Sequence, residues 1–133
     1  MQTFKDLGLS DEILRSLEEI GFVSPTEIQS KAIPQLLESK PDFIGLAQTG
    51  TGKTAAFGLP LIHFLDTSEN KVFALILAPT RELAQQIAKE FENFGKYKKG
   101  MRTLVVYGGT PITTQIREIK KNIPHILVAT PGR

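Results

Sequence analysis

Residues 48–54 carry the side chains and the spacing that could do chemistry. They read Gln-Thr-Gly-Thr-Gly-Lys-Thr and lie between a short apolar run and a stretch with helical spacing of apolar residues. Glycines let backbone N–H groups turn toward phosphate oxygens, and the N-terminus of a following helix adds the positive end of its dipole. Lys53 could reach the outer phosphates and the Thr54 hydroxyl could bind Mg²⁺. The segment predicts a phosphate-binding loop, and the alternative is a glycine-rich turn that binds nothing.

The elements around this loop alternate between two kinds. Apolar runs at 43–47, 72–78, 102–107 and 125–129 predict buried strands, and residues 53–66, 81–94 and 111–122 have helical spacing. Strands that alternate with helices of this length need crossover connections, so we expect a parallel sheet. Ligands of such sheets gather at the carboxyl ends of the strands.

Two helices are predicted before the first apolar run. Ser10 with two acidic residues after it predicts a capped first helix that ends at Gly21. The tetrapeptide at 24–27, Ser-Pro-Thr-Glu, predicts a capping box with Pro25 at the first helical position of the second helix. Pro34 is expected to kink or split that helix.

Residues 47–54 resemble the Walker A loop of P-loop nucleotide triphosphatases. The position that usually holds the first glycine of that loop holds Ala47. The resemblance implies that ATP and Mg²⁺ are bound, with Lys53 and Thr54 in catalytic roles and Thr54 as the metal ligand. The residues that it implies around the nucleotide are Gln48, Thr49, Gly50, Thr51, Gly52, Lys53 and Thr54.

Residues 21–29, Gly-Phe-Val-Ser-Pro-Thr-Glu-Ile-Gln, resemble the Q motif of the DEAD-box RNA helicases, in which alanine at the position of Ala47 is common. A carboxamide donates and accepts hydrogen bonds, which matches the N6 amine and N7 of adenine, so Gln29 is expected to select ATP over GTP. The resemblance implies that Phe4 stacks on adenine, that Thr26 ties the motif to the phosphate loop and that Phe22 packs nearby. Plain core packing is an equal alternative for Phe22.

Three further segments resemble motifs of the same family. Residues 79–84 resemble motif Ia, residues 108–109 the glycine doublet and residues 130–133 motif Ib. Arginine forks, hydroxyls and a helix N-terminus can bind phosphates, and glycines let an RNA backbone approach, so the contacts would not depend on base sequence. Thr80 could instead only cap its helix, and Arg81 could only pair with a carboxylate. The RNA-binding residues implied are Pro79, Thr80, Arg81, Gly108, Gly109, Thr130, Pro131, Gly132 and Arg133.

The resemblance implies an α/β fold of the P-loop, RecA-like type, a three-layer parallel sheet with helices on both faces that is incomplete at its C-terminal side. Residues 1–133 would form part of the first RecA-like domain, with a Q-motif helical region at 1–38 and a parallel β/α core with Walker A at 42–133. A second RecA-like domain would be its partner in an ATP-dependent RNA helicase that unwinds short duplexes. The sequence contains neither Asp-Glu-Ala-Asp nor Ser-Ala-Thr. We therefore expect the isolated chain not to hydrolyse ATP, and its open sheet edges favour self-association.

Composition narrows the other classes of function. The chain has no cysteine, which excludes disulfides and thiolate chemistry, and its apolar runs are too short for a membrane span. The start of the sequence lacks the apolar segment of a signal peptide, so we expect a cytoplasmic protein. His63 and His125 have no metal-ligand spacing and are interpreted as structural. A non-catalytic module that binds ATP and RNA, and a DNA helicase, remain alternatives.

Overall fold

The structure is a computed structural model that describes residues 1–39 and 42–133. A 3-10 turn at Phe4–Leu7 comes first. The helices are α1 (Asp11–Glu19), α2 (Glu27–Ser39), α3 (Lys53–Phe64), α4 (Arg81–Phe94) and α5 (Ile112–Lys121). The strands are β1 (Ala74–Leu77), β2 (Thr103–Val106) and β3 (Ile126–Ala129).

The described chain divides into two compact units. The helical unit comprises Met1–Phe64 and Asn93–Lys98, and the sheet unit comprises Leu65–Glu92 and Lys99–Arg133. The phosphate loop and the Q-motif residues belong to the helical unit. The segments that resemble motif Ia, the glycine doublet and motif Ib belong to the sheet unit.

The sheet of the sheet unit has three parallel strands in the order β1-β3-β2. Ile126 at the start of β3 is in register with Ala74 on one side and with Thr103 on the other. The central strand is the most buried, whereas Leu75 and Leu77 of the edge strand β1 are each 60% exposed. The prediction of a parallel sheet with helical crossovers is therefore confirmed.

The predicted strand at 43–47 is wrong, because this segment belongs to no strand. Its side chains are also not buried, since Ile44 is 89% and Leu46 is 90% exposed. A strand needs a neighbour that satisfies its backbone N–H and C=O groups. Among the described residues, the strands pair only with one another, so an apolar run is not sufficient to form a strand here.

Helix α2 begins two residues later than the sequence pattern indicates. The carbonyl of Thr26 accepts the first helical hydrogen bond, from the N–H of Ser30 at 2.9 Å. The side-chain Oε1 of Gln29 reaches back and accepts a hydrogen bond from the N–H of Thr26, also at 2.9 Å. The capping pair is therefore Thr26 with Gln29, one helical turn apart, and not a box that starts at Ser24. The helix continues through Pro34 as one element.

The remaining helices agree with the predicted spans closely. Helix α4 has the predicted bounds, and α3 and α5 end within two residues of theirs. Helix α1 ends before Gly21, whose φ of 84° is the left-handed conformation that favours glycine after a helix. Apolar spacing therefore located the helices well, although α5 leaves Ile112 and Ile116 of its apolar positions exposed.

The two histidines both bind backbone groups. Nδ1 of the fully buried His125 accepts a hydrogen bond from the N–H of Arg102 at 3.0 Å, and Nε2 lies 3.0 Å from the carbonyl oxygen of Glu69. Nδ1 of His63 accepts a hydrogen bond from the N–H of Ser10, just before α1, at 3.2 Å. Burial first and then the charge of Lys98 lower the pKa of His63 from its ordinary value. Both rings therefore hold backbone groups in place, in agreement with the interpretation of the two histidines as structural.

Candidate functional site

The phosphate loop of the helical unit has the backbone shape that its glycines allow. Gly50 and Gly52 have φ values of 79° and 82°, in the left-handed region, and α3 begins directly after them at Lys53. The Thr51 hydroxyl donates to the carbonyl of Gln48 at 2.6 Å. A Cβ atom at Gly52 would lie only 2.2 Å from Nε2 of Gln29, so this position requires glycine.

Two side chains of the loop could interact with phosphate and metal. The Nζ of Lys53 donates to the carbonyl oxygen of Ala47 at 2.9 Å, and the side chain is exposed. None of the ion pairs among the described residues involves Lys53, so its charge is not neutralised by a carboxylate. Thr54 lies in the first turn of α3, at the same helix end. An unpaired ammonium and a hydroxyl at a helix N-terminus fit a nucleotide triphosphate with Mg²⁺.

Two side chains of the segment 21–29 bind the phosphate loop directly. The Thr26 hydroxyl donates to the carbonyl of Thr51 at 2.8 Å, and the Gln29 Nε2 donates to the carbonyl of Gly52 at 3.1 Å. Gln29 is only 2% exposed, and both ends of its carboxamide have protein partners. Sequence reasoning assigned Gln29 to adenine and missed its bond to the N–H of Thr26, although the Thr-x-x-Gln spacing is a signal for it.

The two aromatic residues expected near adenine belong to one cluster. Phe4 is 4% exposed and its ring centroid lies 6.1 Å from that of Phe22. Phe22 also contacts Phe94, edge to face, at 5.9 Å, and is 37% exposed. Phe22 is thus the more accessible of the two rings, and Phe4 is part of the core.

A cavity of about 420 Å³ lies beside the phosphate loop, within the ~300–1,000 Å³ range of small-molecule sites. Three of the predicted site residues line it, and Phe4, Gln29 and Lys53 do not. The lining residues are Thr26, Glu27, Ile28, Lys31, Leu46, Ala47, Gln48 and Thr51. The positively charged side chain of Lys31 lines this cavity and forms an exposed ion pair with Glu27.

The predicted RNA-binding segments follow the three strands of the sheet unit. Residues 79–81 come after β1, residues 108–109 after β2 and residues 130–133 after β3. Because the strands are parallel, their carboxyl ends lie at one edge of the sheet. The structure therefore brings these segments together.

Thr80 caps helix α4. Its Oγ1 accepts a hydrogen bond from the N–H of Leu83 at 3.2 Å, and its carbonyl accepts one from the N–H of Ala84 at 3.0 Å. The neighbouring Pro79 and Arg81 are exposed. The capping alternative for Thr80 is thus observed, and the first N–H groups of a helix, which have no partner within the helix, lie at the same end.

The guanidinium of Arg81 lies over an aromatic ring. Its guanidinium carbon lies 4.5 Å from the ring centroid of Tyr107, and a Cβ at Gly109 would lie 3.9 Å from Nη1. Within 1–39 and 42–133 Arg81 has no carboxylate partner, so the alternative of an ion pair is not observed. Sequence reasoning missed Tyr107. The available signal was its position as an aromatic residue directly before the glycine doublet.

The segment after β3 is bonded to the end of β2. The N–H of Thr130 donates to the carbonyl of Val106 at 3.2 Å. Nη1 of Arg133 donates to the carbonyl of Thr110 at 2.8 Å. Part of the Arg133 fork therefore holds the backbone after the glycine doublet, and Pro131 and Gly132 form an exposed turn between the two contacts.

Two other classes of feature were sought in the described ranges. No group of three or more His, Cys, Asp or Glu side chains that could hold a metal ion is present there. No helix there has the length and the apolar character needed to cross a membrane.

Comparison with known proteins supports the family resemblance of these segments. Residues 26–133 match the family described as DEAD/DEAH box helicase. A DEAD-box ATP-dependent RNA helicase, CshA, from Bacillus cereus is 54% identical over all 133 residues, and the chain spans 25% of its length. The chain thus covers about a quarter of this relative.

Solved structures give the same assignment. A DEAD box protein from Methanococcus jannaschii is 42% identical with a TM-score of 0.91, over all of this chain and 36% of that one. The structure of Dbp5 from S. cerevisiae bound to RNA and ADP BeF3 is 32% identical with a TM-score of 0.87, over 99% of this chain and 32% of that one. The fold is therefore the RecA-like α/β fold with a parallel sheet, and the chain belongs to the DEAD-box helicases of the DEAD/DEAH box family.

Proposed function

We propose that the chain is the ATP-binding and RNA-binding portion of an ATP-dependent RNA helicase. The observation that carries the proposal is the pair of hydrogen bonds from Thr26 and Gln29 to the carbonyls of Thr51 and Gly52. These bonds connect the segment expected at the base to the segment expected at the phosphates. A glycine-rich turn without a ligand would not require such a connection.

The phosphate loop is proposed to bind the triphosphate through its backbone. The N–H groups of residues 50–54 and the N-terminus of α3 supply donors and a positive dipole end. Lys53 would exchange the carbonyl of Ala47 for phosphate oxygens, which bear full charges and are stronger acceptors. Thr54 would hold Mg²⁺, which supplies charge neutralisation between the outer phosphates when bound.

Gln29 is proposed to select adenine by exchanging partners. Its Nε2 donates to a carbonyl and its Oε1 accepts from an N–H, and the N7 acceptor and the N6 amine of adenine could take the places of these two groups. Recognition of the base therefore releases Gly52 and alters the loop that holds the phosphates. Phe4 would stack on the base with Phe22 packed nearby, and Phe22 is the more accessible of the two rings.

The carboxyl edge of the sheet unit is proposed to bind an RNA backbone. This is supported by the exposed Arg81 and glycine doublet on that edge, and by the solved relative, Dbp5, which is bound to RNA. Pro79, Thr80, Thr130, Pro131, Gly132 and Arg133 complete the proposed contacts. Such contacts hold phosphates and sugars and do not read the base sequence.

The remaining proposals concern the rest of such a helicase. The chain would form part of the first RecA-like domain, with the helical region at 1–38 and the β/α core at 42–133, and a second RecA-like domain would close on it. The sequence contains no Asp-Glu-Ala-Asp, so we propose that the isolated chain binds ATP with almost no turnover. Its open β1 edge would allow self-association, and the cytoplasm, which holds ATP and RNA, is the proposed location.

The test is a binding titration of the whole chain with a fluorescent ATP analogue, with and without Mg²⁺, followed by competition with ATP and GTP. Lys53→Ala should lower affinity for the analogue at least about tenfold, whereas Lys89→Ala, an exposed lysine on α4, should leave it unchanged. Competition between RNA and DNA oligonucleotides then separates an RNA helicase from a DNA helicase. Equal affinity for ATP and GTP, or no effect of Lys53→Ala, would contradict the proposed nucleotide site.

A further inference from the structure

Tyr107 occupies the end of β2 directly before the glycine doublet, and three side chains converge on it. The guanidinium carbon of Arg81 lies 4.5 Å from its ring centroid. Nε2 of Gln85 lies 3.3 Å from its hydroxyl oxygen, and Nε2 of Gln115 donates to its carbonyl at 3.1 Å. Tyr107 therefore contacts α4 through its ring and hydroxyl and α5 through its backbone carbonyl.

The guanidinium of Arg81 lies over the Tyr107 ring, and this contact restrains it without a hydrogen bond from its donors to a protein group in the described ranges. A guanidinium is planar, and its N–H groups all point outward in that plane, so stacking on a ring occupies the face and leaves the edges free. In the part of the chain that the structure describes, no carboxylate pairs with Arg81. Its donors therefore remain available to an anion from outside the chain.

The ring that restrains Arg81 is itself held. Gln85 lies one helical turn after Arg81 on α4, so a single helix supplies both the arginine and the group that fixes the tyrosine hydroxyl. Gln115 is buried and holds the backbone of the same tyrosine. The position of the guanidinium beside Gly109 is thus set by the ring, and the lack of a side chain at Gly109 leaves that space open.

We propose that Tyr107 is a positioning residue for RNA binding: its ring holds the Arg81 guanidinium beside the glycine doublet, with the N–H edges directed to an RNA phosphate. This inference rests on the proposed RNA-binding function of the same edge. Tyr107 joins the segment after β1 to the segment after β2, so the two act as one phosphate site. The hydroxyl of Tyr107 has a secondary role, because it serves to orient the ring.

The test measures the affinity of the whole chain for a labelled single-stranded RNA oligonucleotide, by fluorescence anisotropy over a series of salt concentrations. Arg81→Ala should weaken binding roughly tenfold and reduce the slope of log affinity against log salt by about 0.7, the value for one phosphate contact on a single strand. Tyr107→Leu should weaken binding by a similar factor although the charge is retained. Tyr107→Phe should stay within about threefold of the wild type, because the ring is retained.

A double variant and a matched control separate positioning from general damage. Tyr107→Leu in the Arg81→Ala background should produce no further loss, since both changes remove the same contact. The helical unit contains a second arginine stacked on a tyrosine, Arg15 on Tyr97 at 4.1 Å, so Tyr97→Leu serves as the control and should leave RNA affinity unchanged. In the NMR spectrum, the ring-current shift of the Arg81 side-chain protons should disappear in Tyr107→Leu and persist in Tyr107→Phe.

The outcomes distinguish the inference from the function on which it rests. If Arg81→Ala weakens binding and Tyr107→Leu does not, or if the two losses add, the positioning role is wrong and the proposed RNA edge stands. If the wild-type chain binds no RNA, or Arg81→Ala has no effect, both are wrong. Circular dichroism on each variant identifies unfolded protein, and Tyr107→Val, which also removes the ring and suits the end of a strand, replaces Tyr107→Leu if that variant does not fold.

Discussion

The side-chain nitrogen of Gln29 donates a 3.1 Å hydrogen bond to the carbonyl oxygen of Gly52. The two residues are 23 positions apart in the chain, and the bond is part-buried, with Gln29 only 2% exposed. A shielded bond of this kind is costly to break without a replacement partner. The conformation of the phosphate loop and the state of this side chain are therefore coupled.

The first prediction concerns the two left-handed glycines of the loop. Alanine at either Gly50 or Gly52 should cost about 1–2 kcal/mol of stability through backbone strain. Only at Gly52 would the new Cβ collide with Gln29, so Gly52→Ala should cost about 1–3 kcal/mol more and should weaken ATP binding further. Urea denaturation of both variants measures the difference in the free energy of unfolding. Equal costs for the two would show that Gln29 can move aside freely.

The second prediction separates the two hydrogen bonds of Gln29. Gln29→Glu retains an oxygen that accepts from the N–H of Thr26 but places a second oxygen against the carbonyl of Gly52. Gln29→Leu removes both bonds and should destabilise the chain by about 1–3 kcal/mol for each orphaned buried group. At low pH the introduced glutamic acid of Gln29→Glu is protonated and can donate to the carbonyl of Gly52. We therefore expect that, at low pH, Gln29→Leu loses more thermal stability than Gln29→Glu. Calorimetry at several pH values provides the comparison, with Gln86→Leu on the exposed face of α4 as the control.

The third prediction is a pH dependence that arises from His63. Burial and the Lys98 charge lower its pKa in the folded state below the ordinary value of 6.5, so the unfolded chain binds the proton more tightly. Stability that is present above this value should therefore decrease as the pH falls through it, because protonated Nδ1 can no longer accept the Ser10 N–H. Thermal unfolding between about pH 7.5 and about pH 5.5 should show this decrease.

His63→Asn is the matched variant for this measurement. Its side-chain oxygen can accept the Ser10 N–H but does not titrate in this range, so the decrease between the two pH values should largely disappear. The carboxylates of Asp6 and Glu19 also have lowered pKa values, through hydrogen bonds from Thr3 and from Lys96 respectively, and their contribution is lost only in more acidic solution. An unchanged pH dependence in His63→Asn would assign the effect to another group.

The fourth prediction concerns the edge of the sheet. Strand β1 has a neighbour on one side only among the described strands, and its Leu75 and Leu77 are largely exposed. An exposed apolar edge strand favours pairing with another chain, so the isolated polypeptide should self-associate as its concentration rises. Leu77→Lys should shift sedimentation toward the monomer, because charge on an edge strand opposes pairing. Ile116→Lys, at an exposed apolar position on α5, should have little effect.

The sequence predicted best the features that depend on local spacing. The full extent of α4, the parallel direction of the strands and the end of the first helix at Gly21 all agree with the structure. The strand predicted at 43–47 failed for a non-local reason, since a strand requires a partner that its own residues do not specify. The order β1-β3-β2 was likewise beyond the reach of a pattern within one segment.

The candidate site shows the same division. The glycines, Lys53 and the glutamine of the segment 21–29 were identified from residue type and spacing, and the structure brings Gln29 against Gly52. The role of Gln29 as the partner of Thr26 at the start of α2, and the stacking of Arg81 on Tyr107, were missed. Both depend on which side chains meet after folding, and Tyr107 was interpreted only as the end of an apolar run.

The placement of β3 between β1 and β2 rearranges the sequence of motifs in space. Along the chain the glycine doublet precedes Thr130. In the sheet, however, the turn at Thr130 follows the central strand, which lies roughly 5 Å from each flanking strand. A single strand that crosses the carboxyl ends of these strands would meet the segment after β1, then the one after β3, then the one after β2. This order differs from the order of the three segments along the polypeptide. On the proposed function, an insertion of one residue in this central turn should therefore disturb RNA binding at the middle segment and also at the segment after β2, because Arg133 of the turn binds the carbonyl of Thr110.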